Sequence, residues 1–135
     1  MSRDHARIVI VGGGVIGASI AYQLTLAGVS DVLVLEKAQL THGSTWHAAG
    51  LVGQLRSKKN LTRLMQNSVT VFDKLEAETG QTIDWRKSGS LRVASSDVRM
   101  TEIRRSLTQA QGFGFEAYEI SAQDAQDKFP WMSLD

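Results

Sequence analysis

The glycine-rich stretch V-G-G-G-V-I-G, residues 11–17, constrains the fold of this 135-residue chain more than any other feature. It follows an unbroken run of β-branched apolar residues, Ile8–Val11, which is typical of a strand buried on both faces of a parallel sheet. After it, Ile16, Ile20 and Leu24 recur at helical spacing. The chain is therefore predicted to begin with a strand, a tight glycine turn and a helix.

A second buried strand is predicted in D-V-L-V-L-E-K, residues 31–37, and Gly28 is expected to end the helix before it. Strand, helix and strand together form a βαβ unit of about 30 residues, the usual length. The glycines Gly12, Gly14 and Gly17 occupy the three positions of the dinucleotide-binding motif G-x-G-x-x-G.

Each glycine of the motif has a mechanical reason. Gly12 allows the turn out of the strand, Gly14 lets the backbone approach a diphosphate, and Gly17 lets helix and strand pack closely. The amides at the helix start then face the anion. Glu36, which follows Gly17 by 19 residues, can accept hydrogen bonds from a ribose diol. An acid there would repel a 2′-phosphate, so NADP is disfavoured, whereas NAD and FAD both remain open.

Three helices are predicted in the rest of the chain. An amphipathic helix is expected to begin at a cap on Asn60 and to end at Gly80. A further helix follows a cap on Ser96 and stops near Gly112, and the last begins near residue 121 and is ended by Pro130.

Two short strands and a loop complete this prediction. The alternation of Leu91 and Val93 with polar residues favours one strand, and F-E-A-Y-E-I, residues 115–120, favours the other. Residues 38–50 are expected to form a loop, with a short helix beginning at Ser44 or Thr45, because both are good N-cap residues.

The composition indicates a globular protein, with 42% hydrophobic and 21% charged residues. The net charge of +1 indicates no acidic or basic partner, and the basic cluster between residues 56 and 63 has no interleaved aromatic residues, so nucleic-acid binding is not expected. The absence of cysteine excludes disulfides, thiolate metal ligands and a cysteine nucleophile, and no metal site is predicted.

With no membrane-spanning or targeting segment in the sequence, a cytoplasmic location is expected, although a longer precursor could reach the mitochondrial matrix.

Four segments of the chain resemble a known family. They are residues 8–28 (IVIVGGGVIGASIAYQLTLAG), 31–37 (DVLVLEK), 40–53 (LTHGSTWHAAGLVG) and 88–94 (SGSLRVA). Together they resemble the start of FAD-dependent amine oxidoreductases of the D-amino-acid oxidase superfamily, in the dimethylglycine and sarcosine dehydrogenase branch. The glycine motif is common to many flavoproteins, whereas GSTWHAAG is much more restricted.

The resemblance implies that the enzyme oxidises a small secondary or tertiary amine by hydride transfer to FAD. It also implies that His47 is the covalent attachment point of FAD, through the 8α-methyl group of the flavin. Imidazole is mostly neutral at pH 7 and can serve as the nucleophile. We interpret His42 as a surface residue and His5 as part of the terminus.

The roles of the loop residues around His47 are predicted from their position in the chain between Glu36 and His47. Ser44 and Thr45 are expected to meet the diphosphate, and Trp46 either lines the flavin or belongs to the core. Small neighbours let the loop lie close to the cofactor. The predicted cofactor-binding residues are Gly12, Gly13, Gly14, Val15, Ile16, Gly17, Glu36, Lys37, Ser44, Thr45, Trp46, His47, Ala49, Gly50 and Leu51.

The predicted fold class is α/β, a Rossmann-like FAD-binding βαβ unit with added helices and the start of a mixed α+β region. Residues 1–50 form the dinucleotide-binding unit and the flavin loop, and residues 51–135 lead towards a substrate domain. We expect residues 1–135 to be the N-terminal part of a longer enzyme and inactive alone. Catalytic residues and any folate site would then lie in regions beyond this chain, and we interpret Arg86, Lys87 and Arg92 as solvated surface residues.

Three other functions are compatible with the glycine turn. One is a flavoenzyme that holds FAD without a covalent bond, similar to glycine or D-amino-acid oxidases. Another is a non-catalytic module that binds a dinucleotide. An NAD-dependent dehydrogenase is the least supported of the three functions, because GSTWHAAG would have no role in such an enzyme.

Overall fold

A computed structural model describes residues 5–133 of the chain. Residues 1–4 and 134–135, the ends of the predicted domain, lie outside this range. The elements are the strands β1 (Ile8–Val11) and β2 (Val32–Leu35) and the helices α1 (Val15–Leu26), α2 (Lys59–Thr79), α3 (Asp97–Gly112) and α4 (Ala122–Lys128). They fall into two compact units, the first comprising the described residues up to Leu51 and the second those from Val52 onward.

The first unit is the predicted βαβ arrangement. β1 and β2 run parallel, with Ile8 opposite Val32 and Val11 opposite Leu35. The ladder continues past the strand end, because the Gly12 amide donates to the Leu35 carbonyl at 2.7 Å. α1 makes the connection between the two parallel strands, as the alternation of apolar runs with a helical pattern predicts.

Two glycines determine how α1 sits on β1. Gly12 has φ +110°, a conformation that favours glycine, and it turns the chain out of the strand. A Cβ on Gly17 would overlap the Gly12 carbonyl oxygen and lie 3.3 Å from Ile10 Cγ2. The predicted packing role of Gly17 is therefore confirmed. Gly28, with φ +79°, follows the last residues of the helix as expected.

The expectation that β1 is buried on both faces is wrong for this chain. Ile10 is buried against α1, but Val9 is 48% exposed and Val11 is 85% exposed. Successive side chains of a strand point to opposite faces, and within the first unit α1 covers only the face that carries Ile10. The apolar run is thus suited to a second layer that the first unit does not itself supply.

α2 begins one residue earlier than its predicted cap. Lys58 is the N-cap and makes no side-chain cap hydrogen bond, so the prediction of Asn60 as the cap is wrong. Gly80 ends the helix as predicted, in the left-handed region at φ +69°, and its amide donates to the Glu76 carbonyl at 2.9 Å. Within the first turn, fully buried Thr62 accepts the Arg56 amide at 3.0 Å and anchors the preceding loop.

The strands predicted around Leu91–Val93 and over residues 115–120 do not form among the described residues, which are irregular there. The chain before the first segment is held against α2 by a side chain. Trp85 stacks on Phe72 with ring centroids 5.1 Å apart, and its Nε1 donates to Asp73 at 2.8 Å. The second segment is held to α3 by the two hydrogen bonds that Arg104 donates to Glu119.

The caps of the last two helices follow local sequence rules. Ser96 accepts the Arg99 amide at 3.3 Å, and α3 ends at Gly112, both as predicted. α4 begins with a capping box, in which Ser121 and Asp124 exchange side-chain and backbone hydrogen bonds. It ends at Lys128, two residues before Pro130.

Candidate cofactor site

The glycine turn is closed by the side chain of Glu36. The Gly13 amide donates to Glu36 Oε2 at 2.7 Å, and the Ala38 amide donates to Oε1 at 3.0 Å. These backbone hydrogen bonds, with that of Gly13 the largest cause, lower the pKa of the Glu36 carboxyl below its usual value. Glu36 therefore stays ionised, and since each carboxylate oxygen has a second lone pair, it can still accept from another hydroxyl.

The loop after Glu36 folds back onto the glycine turn. The Thr41 amide donates to the Gly13 carbonyl at 3.0 Å, and the Val15 amide donates to Thr45 Oγ1 at 2.9 Å. Thr41 adopts φ +66°, which turns the chain towards α1. Residues 40–47 form successive turns, so the prediction of a short helix beginning at Ser44 or Thr45 is wrong.

The start of α1 leaves backbone donors for an anion. Gly14 is the N-cap, and α1 has no acidic residue in its first turn. Among residues 5–133, the amides of Gly14 and Ile16 have no hydrogen-bond partner, whereas the Val15 amide is taken by Thr45. Free amides at the positive end of the helix dipole suit a diphosphate.

Close contacts with this loop explain why glycine occupies positions 13 and 14. A Cβ on Gly14 would lie 2.9 Å from Thr45 Oγ1, and one on Gly13 would lie 2.6 Å from Leu40 Cδ2. The loop therefore packs closely against the turn, and a side chain at either position would force Leu40 or Thr45 to move. Leu40 and Thr41 lie in the segment 40–53 that carries the resemblance, but the sequence assigned neither a role.

His47 lies exposed at the end of these turns. Its Nδ1 is 3.1 Å from the Gly43 carbonyl oxygen. Because a carbonyl only accepts, this contact assigns the hydrogen to Nδ1 and leaves Nε2 of the neutral ring with an unshared electron pair. Trp46 lies edge-on to His47, with ring centroids 5.9 Å apart, and is 73% exposed. The alternative in which Trp46 belongs to the core is therefore wrong.

The structure brings together only part of the predicted set. The glycine turn, Glu36 and Thr45 form one connected group, which Lys37 joins through its backbone amide near the Glu36 carboxylate. Ser44 takes part through its carbonyl, which accepts the His47 amide at 3.2 Å. The remaining predicted residues are exposed and make no described side-chain contact with the turn: Ala49, Gly50 and Leu51.

The basic residues outside this site lie on the surface, as interpreted from the sequence. Lys87 donates to Asp73 at 2.7 Å, and Arg86 pairs with Asp84 at 2.9 Å. Arg92 is also exposed. Within the described range, no group of three or more potential ligands could hold a metal ion. Nor does any helix between residues 5 and 133 have the length and apolar character needed to cross a membrane.

Known proteins match almost the whole chain. It is 41% identical to human mitochondrial dimethylglycine dehydrogenase over 132 residues, which covers 98% of this chain and 15% of that protein. Mouse mitochondrial sarcosine dehydrogenase is 34% identical over 131 residues, which covers 96% of this chain and 14% of that enzyme. The formaldehyde-forming 4-methylaminobutanoate oxidase of Paenarthrobacter nicotinovorans is 43% identical over 99 residues, or 73% of this chain and 12% of its own length.

The chain thus spans less than a sixth of the length of these relatives. A family model described as "FAD dependent oxidoreductase" matches residues 7–135. That range contains the glycine turn, the acid at the end of β2 and the loop folded over them. The chain therefore belongs to the FAD-dependent oxidoreductase family called DAO.

Proposed function

We propose that this chain is the FAD-binding portion of an oxidoreductase that acts on a small secondary or tertiary amine similar to dimethylglycine or sarcosine. The relatives named above support the class of substrate. The structural observation that carries the proposal is the attachment of the His47 loop to the glycine turn. Through Thr41 and Thr45, this attachment keeps an exposed imidazole on the same small unit as the free helix amides.

The residues present fit FAD. The unpaired amides of Gly14 and Ile16 would bind the diphosphate, because they lie at the positive end of α1. Glu36 would accept from a ribose hydroxyl with its remaining lone pairs, while its bonds to Gly13 and Ala38 keep it ionised. Both features are those expected of an adenosine diphosphate site without a 2′-phosphate.

FAD, when bound, supplies the acceptor for the hydride that leaves the amine carbon. The chain supplies orientation. In this proposal His47 Nε2 would be the atom that bonds to the 8α-methyl carbon of FAD, since Nδ1–H is held by the Gly43 carbonyl. The bond would replace one hydrogen of the methyl group and one hydrogen of the imidazole, and dioxygen, as the oxidant, would take up both and be reduced to hydrogen peroxide.

A comparison of two histidine variants of the intact protein tests the attachment. After denaturing electrophoresis, we expect a fluorescent flavin band for the wild type and for His42→Ala, but none for His47→Ala. Mass mapping should place the added mass on the tryptic peptide that contains residue 47. His42 is the matched control, because it is an exposed histidine of the same loop. Complete release of flavin from the wild type by acid would refute the covalent bond.

Anaerobic bleaching of the flavin absorbance tests the substrate class. We expect bleaching by dimethylglycine, sarcosine or 4-methylaminobutanoate. Bleaching by glycine or D-alanine alone would instead favour an amino-acid oxidase. No bleaching by any amine, despite tight binding of FAD, would favour a non-catalytic module.

The location of the protein and its use of folate are also proposals. A cytoplasmic location remains the prediction from the sequence, and the mitochondrial matrix is the alternative, because two of the relatives named above are mitochondrial proteins. Imaging of the tagged intact protein distinguishes the two compartments. Any folate site would lie outside this chain, and binding of tetrahydrofolate by the intact protein would test for it.

A further inference from the structure

We propose that Thr45 is the positioning residue for the attachment of FAD to His47, an inference that rests on the proposed covalent bond. Three hydrogen bonds tie the segment after β2 to the glycine turn: Gly13 to Glu36, Thr41 to Gly13, and Val15 to Thr45. The last of these lies two residues from His47. It joins positions 15 and 45 directly and depends on a single hydroxyl group.

The His47 ring is fixed to the turns that Thr45 anchors. The Trp46 amide donates to the Thr41 carbonyl at 3.1 Å, and the Ala48 amide donates to the Thr45 carbonyl at 3.2 Å. The imidazole itself is held by the Gly43 carbonyl. Because the ring is bound within the turns, the bond from Val15 to Thr45 sets the position of the imidazole relative to the start of α1.

The contact is also too close to be incidental. A Cβ on Gly14 would lie 2.9 Å from Thr45 Oγ1. Glycine at position 14 therefore leaves room for the hydroxyl. The β-branched threonine has few allowed χ1 values, which favours one orientation of the hydroxyl. Its oxygen accepts from Val15, and its own hydrogen stays available to a diphosphate oxygen. The Thr45 side chain can thus link the start of α1, where the diphosphate would bind, to the loop that carries His47.

The test measures how fast flavin becomes covalently attached. Intact protein purified from riboflavin-starved cells is mixed with saturating FAD, and in-gel flavin fluorescence is followed over time. We expect Thr45→Val to slow attachment by about twofold to tenfold, the factor that corresponds to the net value of one hydrogen bond. Thr45→Ser, which keeps the hydroxyl, should restore most of the rate.

Thr25→Val is the matched control, since Thr25 Oγ1 donates to the Tyr22 carbonyl at 2.7 Å elsewhere in the same unit. It should attach flavin at the wild-type rate. Attachment is measured at saturating FAD and well below the melting temperature, so a weaker affinity or a lower stability of Thr45→Val does not by itself slow it; both quantities are measured in a His47→Ala background to set these conditions. If the rate of Thr45→Val reaches that of the wild type when FAD is raised further or the temperature is lowered, Thr45 acts through binding or stability and the positioning role is refuted.

The outcomes separate this inference from the proposed function. If the wild type attaches flavin and Thr45→Val does so equally fast, only the role of Thr45 is refuted. If the wild type never attaches flavin, the covalent bond and the role of Thr45 are both refuted.

Discussion

Replacement of Gly17 by alanine should damage the first unit more than any other glycine-to-alanine change in it. The added Cβ would overlap the Gly12 carbonyl oxygen and lie 3.1 Å from the Gly12 carbonyl carbon. Both atoms belong to the backbone directly after β1, where the Gly12 amide donates a hydrogen bond to the Leu35 carbonyl. No side-chain rotation can therefore relieve the overlap. α1 has to move away from the strand instead.

The size of the effect follows from two opposing terms. Overpacking against a rigid neighbour costs up to about 3 kcal/mol, and alanine gains roughly 1 kcal/mol over glycine in a helix. The net loss is about 2 kcal/mol. Gly112 is the last residue of α3, and a methyl group added there would have no other atom within 4 Å, so Gly112→Ala gains at most this helix term. The two variants should therefore differ by about 2 to 3 kcal/mol.

Gly13 provides an intermediate case. A Cβ there would lie 2.6 Å from Leu40 Cδ2, the end of an exposed and flexible side chain that can rotate away. Thermal melts of the intact protein can be followed by the rise in flavin fluorescence on unfolding. The melting temperature should be highest for Gly112→Ala, intermediate for Gly13→Ala and lowest for Gly17→Ala. If the melting temperature of Gly17→Ala equals that of Gly112→Ala, the packing argument is refuted.

Two further predictions concern single side chains. Because the folded pKa of Glu36 is lowered, its ionised form stabilises the protein above about pH 4.5, and this contribution is lost as the pH falls through the folded pKa. The difference in unfolding free energy between the wild type and Glu36→Gln should therefore shrink as the pH falls below about 4.5, and a constant difference would contradict the assignment. Trp85→Ala should lower the unfolding free energy by about 2 kcal/mol, whereas Trp85→Phe, which keeps the stack on Phe72, should lose less in urea denaturation. Equal losses would show that the stack contributes nothing.

The parts of the fold that depend only on residues adjacent in the sequence were predictable from it. The ends of α2 and α3 at Gly80 and Ser96 need only a left-handed residue and a hydroxyl cap. The strands expected near Leu91 and over residues 115–120 need partners that no local pattern specifies, and they did not form. Alternation shows that a segment suits a sheet, but a strand also requires a second strand beside it.

The same distinction holds in the candidate site. The glycine turn and Glu36 were found from spacing, and His47 from a restricted motif. The sequence predicted that Glu36 binds a ribose, and this stays a prediction; it did not predict that the Glu36 oxygens accept the Gly13 and Ala38 amides. The contact between Val15 and Thr45 joins residues 30 positions apart, and only the folded loop reveals it.

Trp46 is the sole tryptophan of the first unit, since Trp85 and Trp131 both follow Leu51. Its indole is mostly exposed beside His47. Indole emission overlaps flavin absorption, so energy transfer from this ring would dim its emission when an isoalloxazine settles nearby. The unit therefore carries its own optical reporter of cofactor arrival, which Trp46→Phe would silence.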